Sequence, residues 1–154
     1  MYRGSEPCSE PETQAVMKMF EQVKPRLAFS GHWLAGVCED HLLTSSAAMK
    51  DTLFARKANA IRDVFCAGFD EVIGETLSPE ERDVHYYCCG GSFPTWCYYN
   101  NVVAFDLEGG HRLRMAPAEK DQTTEELLEL GIRCHTQAMK NILQYMAYDK
   151  KEEQ

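Results

Sequence analysis

The chain has 154 residues, 44% of them hydrophobic and 26% charged, a size that buries a core without metal or disulfides and a composition outside the disordered range. Its formal net charge is -8, and no run of Lys and Arg forms the stripe a phosphate backbone requires, which disfavours nucleic acid as a partner. Seven cysteines, an odd number, with no signal-like apolar stretch after Met1, fit a reducing intracellular compartment, the cytoplasm by expectation, and no segment approaches the roughly 20 apolar residues that span a bilayer.

Residues 1–8 read as a flexible N-terminus. Ser9 with Glu12 forms a capping-box pattern, and Val16, Met19, Phe20, Val23 and Leu27 follow at helical spacing. Pro25 ends or kinks this first helix, and Ser30-Gly31 permits a change of direction. From about His32 a short second helix is expected, with Trp33, Leu34, Val37, Cys38, His41 and Leu42 on one side.

Thr44, Ser45 and Ser46 are candidate caps for a long third helix. Its face is Leu53, Phe54, Ile61, Val64, Phe65, Phe69, Val72 and Ile73, and its outer side carries Lys50, Arg56, Lys57, Arg62 and Asp63. A fourth helix is expected from Ser78-Pro79 to a stop at Gly90 or Gly91, with Val84, Tyr87 and Cys88 on one side.

After Pro94 aromatic and β-branched residues dominate, and Glu108-Gly-Gly splits them as a turn would. A β-hairpin near 96–115 is therefore expected, with a buried helix over Trp96 to Phe105 as the alternative. Thr123 and Glu126 make a second capping box before a last helix lined by Leu128, Ile132, Met139, Ile142, Leu143 and Met146. The fold class predicted is mainly α, or α+β with one minor β-hairpin: about five helices in a single domain over 9–149, followed by a frayed tail at 150–154.

Three chemistries compete for the remaining signals. Cys38 with His41, and His85 with Cys88, are three-residue spacings that together would make a Cys2His2 zinc site, although neither has the knuckle spacing of a zinc ribbon and buried thiols behave as small hydrophobes. Cys97, with His85 or His111 as base, is the best placed thiol for a nucleophile, but no cysteine-protease signature surrounds it. His32 or His41 as a haem ligand is weaker still, since a lone histidine on an apolar face is usually structural.

The remaining reading is a binding module. Phe93, Trp96, Tyr98 and Tyr99 are clustered, and aromatic residues with one polar tip are favoured at protein interfaces. The alternative is that they fill the core, as expected of Trp96 and Phe105, with alternation pointing one of Tyr98 and Tyr99 outward. Met139 and Met146 suit either a plastic core or an adaptable docking face. Signatures for nucleotide phosphates, zinc proteases and serine hydrolases are missing. The function expected from sequence is a non-enzymatic protein–protein interaction module, an accessory subunit or small regulator, with no required cofactor; a zinc-binding protein or a cysteine-dependent enzyme are the alternatives.

Overall fold

The computed structural model describes residues 5–32, 42–76, 85–87, 91–108 and 124–152. In chain order these form α1 (Pro11–Val23), β1 (Leu27–His32), β2 (Leu42–Ser45), a 3-10 turn (Ser46–Lys50), α2 (Thr52–Ile73), β3 (His85–Tyr87), α3 (Phe93–Tyr99), β4 (Val103–Glu108) and α4 (Thr124–Glu152). The strands make one sheet in the order β1-β4-β2-β3. β1 runs parallel to β4, β2 antiparallel to β4, and β3 parallel to β2.

Side chains alternate across a strand, and β4 uses both faces. Val103, Phe105 and Leu107 pack with Leu27, Phe29 and Leu42 against α2 and α4. Val102 and Ala104 pack with Ala28 against Phe20 of α1 and Phe93, Trp96 and Cys97 of α3. The sheet is thus the middle of three layers, with the larger core on the α2/α4 side.

α2 forms where the periodicity predicts it. Its cap is Asp51, whose Oδ1 accepts hydrogen bonds from Leu53 N and Phe54 N at 3.1 and 3.0 Å, and Gly74 closes it in the left-handed region at φ 80°. The three hydroxyl residues proposed as caps divide. Thr44 is buried in β2 and donates to the Ala104 carbonyl at 2.8 Å, and Ser45 caps the 3-10 turn. α2 and α4 lie close together because residue 68 is glycine: a Cβ there would fall 2.4 Å from Ala138 Cα.

Several expectations are corrected. α1 begins at Pro11 behind Glu10, while Ser9 Oγ donates to Glu10 Oε1 and accepts from Ser5 N, leaving no Ser9–Glu12 box. Of its predicted core face only Phe20 is buried; Val16, Met19 and Val23 are exposed. The second helix falls largely at 33–41, outside the described residues, but both flanks, Leu27–His32 and Leu42–Ser45, are strands. Leu42, Leu43, Thr44 and Ser45 are all buried, so a run enclosed on both faces carries no period that sequence could reveal.

The end of the expected fourth helix is also a strand, since His85–Tyr87 pairs with β2; residues 77–84 and 88–90 lie outside the described residues. Over its described part, 96–108, the expected hairpin near 96–115 is replaced by a helix and a strand. Ser92 caps α3, accepting from Thr95 N at 3.4 Å, and Asn101, at φ 59°, turns the chain into β4. The partners of β4 are the distant β1 and β2, so no local turn creates its pairing. The segment 109–123, with the rest of the expected hairpin, is outside the described residues. Four α-helices stand among the described residues, against about five expected, and the mainly helical α+β class agrees with the structure.

Candidate functional site

The predicted aromatic cluster divides between core and surface. Phe93 and Trp96 meet Phe20 edge-on, with ring centroids 5.7 and 5.2 Å away, and so hold α1 to α3. Tyr98 stands edge-on to Phe54 of α2 at 5.0 Å. Tyr99, beside it, is 74% exposed. A helix over 93–99 rather than a strand sets this division, because successive residues step about 100° around the axis instead of alternating.

The last helix likewise presents two faces. Cys134, Ala138 and Ile142 are buried against α2 and the sheet, with Met139 and Met146 partly buried beside them. Gln137 and Asn141 donate to the Glu71 carboxylate at 2.8 and 2.9 Å, fixing the seam with α2. Leu128, Ile132, Leu143 and Tyr148 remain exposed, Leu143 at 70% and Tyr148 at 72%.

Tyr145 borders two depressions. One is a cleft of about 350 Å³ that includes Arg26, Phe54, Lys57, Ile61 and Met146. The other is a shallow groove of about 650 Å³ between α2 and α4, lined by Val64, Glu71, Asn141 and Tyr148 among others. Met49 and Leu53, each 61% exposed, also carry large apolar side chains at the surface.

Of the four predicted zinc ligands, Cys38, His41 and Cys88 lie outside the described residues. His85 is placed at a register position in β3 opposite Leu43. Among the described residues no three His, Cys, Asp or Glu side chains converge as a metal site would need. His111, one of the two bases considered for Cys97, is outside them too.

Cys97 itself is fully buried under α3. Burial first, and the Asp106 carboxylate second, push its thiol up to about 12. A nucleophilic cysteine requires the opposite shift. Cys66 and Cys134 are buried as well, and Cys8 is exposed.

Sequence reasoning missed a polar group at the end of β1 and β4. Ser30 and Asp106 are register partners, and His32 Nε2 lies 2.9 Å from Ser30 Oγ and 3.5 Å from Asp106 Oδ1. The residue types are those of a hydrolytic triad, but the geometry differs. In a triad the serine and the acid use opposite ring nitrogens, whereas here both oxygens address Nε2. The arrangement suits a clamp tying β1 to β4. Its sequence signal was a lone acid inside the apolar run Val102 to Leu107, and two polar residues at strand spacing, 30 and 32.

A second polar group is His135, whose ring stands edge-on to Phe65 and Phe69 at 6.0 and 5.0 Å. Nδ1–H donates to the Gly131 carbonyl at 2.8 Å, and Nε2 is buried without a partner among the described residues. Burial lowers its pKa below 6.5, only partly opposed by the bond to Gly131, so the ring is neutral. None of the described helices is long and apolar enough to cross a membrane. Comparison with protein-family models, curated proteins and solved structures finds no match for this chain.

Proposed function

We propose that this protein is a non-enzymatic protein–protein interaction module, an accessory subunit or small regulator, that docks through α4 and the exposed end of α3. The observation that carries the reading is the set of large side chains left at the surface of these elements: Leu143, Tyr148 and Tyr99 are each at least 70% exposed. Tyrosine supplies contact area at low entropic cost while keeping a wet hydroxyl, which is why it is enriched at interfaces. The acidic balance of the chain favours a protein over a nucleic acid as the partner, and a reducing compartment suits its buried free thiols.

The test is capture from the native source with the full chain and with Tyr99→Ala and Tyr148→Ala. Both residues are exposed, so the melting temperature should stay within a degree or two of wild type while recovery of the partner falls. Undiminished recovery in both variants would contradict this docking surface.

A further inference from the structure

The occupant of one flank of α4 can be specified further, as a deepening of the interaction reading above. Leu128, Ile132, Met139 and Leu143 fall within about 60° of one another on the helix surface, counting roughly 100° per residue. Leu128, Ile132 and Leu143 are exposed and Met139 is partly so. Their stripe lies to one side of the buried line Cys134, Ala138 and Ile142, away from the Gln137 and Asn141 seam with α2. It is an amphipathic edge with no cover among the described residues.

The stripe is complementary to itself in the antiparallel sense. Turning one helix over about a two-fold axis between His135 and Thr136 places Leu128 opposite Leu143 of the second copy and Ile132 opposite Met139, each pair occurring twice. The charges agree with that register. Glu129 and Lys140 lie on the same margin of the stripe and are both exposed, so the operation sets Glu129 beside Lys140 of the other copy, displaced by about 3 Å along the axis. That offset is within reach of a lysine, and the pair also occurs twice.

We infer that α4 pairs antiparallel with α4 of a second copy, forming a two-fold homodimer through Leu128, Ile132, Met139 and Leu143, with reciprocal Glu129–Lys140 pairs at its margin. One helix pair is a small interface, of the size found in transient complexes. The dimer is therefore reversible and concentration dependent.

Sedimentation velocity of the full chain across about 1 to 500 µM, the range a transient contact of this size requires, tests it. Wild type should shift from monomer to dimer. Ile132→Glu should weaken association at least tenfold by placing a charge in the apolar stripe. Glu129→Lys and Lys140→Glu should each weaken it roughly 3- to 10-fold by turning attraction into repulsion at two sites, and the double variant should recover. All three positions are exposed, and circular dichroism checks that the fold is kept.

A monomer at every concentration, or a dimer indifferent to these changes, would overturn the inference. A monomer that still captures a different protein through Tyr99 or Tyr148 removes the dimer and leaves the docking surface standing. A dimer that captures nothing does the reverse.

Discussion

Replacing Gly68 by alanine adds one methyl group where two helix backbones already touch. The new Cβ would lie 2.4 Å from Ala138 Cα, 2.5 Å from Ala138 N and 2.9 Å from Gln137 C, against ordinary contact beginning at 3.4 Å. These are backbone atoms that no rotamer can move aside, so α2 and α4 must part by about an ångström or shift along their seam. Overpacking of this kind costs about 1–3 kcal/mol, sometimes more. The helix propensity of alanine over glycine returns about 1 kcal/mol. Because the clash is with backbone atoms the upper end of the overpacking cost applies, and a net loss of about 2 kcal/mol lowers the melting temperature of a domain this size by roughly 4–8 °C. Thermal unfolding by circular dichroism reads the shift, with Gly31→Ala as control, since a Cβ there meets nothing within 4 Å. A Gly68→Ala protein that melts at or above wild type would refute the close approach of the two helices.

His135 makes stability depend on pH. Its folded pKa lies below the ordinary 6.5 because burial penalises the charged ring. The stability of the neutral, buried state is fully present above about pH 6.5 and is lost as pH falls through the folded value, where the unfolded chain binds the proton more readily. Chemical denaturation from pH 7.5 to 5 should show this decline, and His135→Leu should flatten part of it; an unchanged slope would contradict the assignment. Native alkylation at pH 8, mapped by mass spectrometry, should modify Cys8 well before Cys66, Cys97 or Cys134, because only Cys8 of these four is exposed; early labelling of Cys97 would show its thiol to be accessible. Phe20→Ala should release α1, since Phe20 is its one buried residue. Amides of 11–23 should then exchange much faster while those of α2 change little, whereas loss of the whole fold would show α1 to be integral to the core.

Helices α2 and α4 were legible in the sequence because each carries a long apolar period, Leu53 to Ile73 and Leu128 to Met146. The strands were not. β2 is enclosed on both faces, so Leu42 to Ser45 shows no alternation, and β3 contributes only three residues. β4 announced itself as extended, but its partners lie some 75 and 60 residues earlier in the register pairs Ala28–Ala104 and Leu43–Asp106, a pairing no local turn encodes. α1 misled in the opposite way: its stripe of Val16, Met19 and Val23 reads as a core face but remains at the surface. For the aromatic cluster, the residues themselves pointed to Trp96 as core and to one of Tyr98 and Tyr99 as outward, and the helical geometry of α3 decided that it is Tyr99.

The docking surface is tested most directly by hydroxyl-radical footprinting of the full chain, alone and bound to the partner it captures from its native source. The expected result is protection of Tyr99, Leu143 and Tyr148 in the complex, with exposed Val16 and Met19 on α1 oxidised equally in both states. Protection confined to α1, with Tyr99, Leu143 and Tyr148 unchanged, would place the interface elsewhere and contradict docking through α3 and α4.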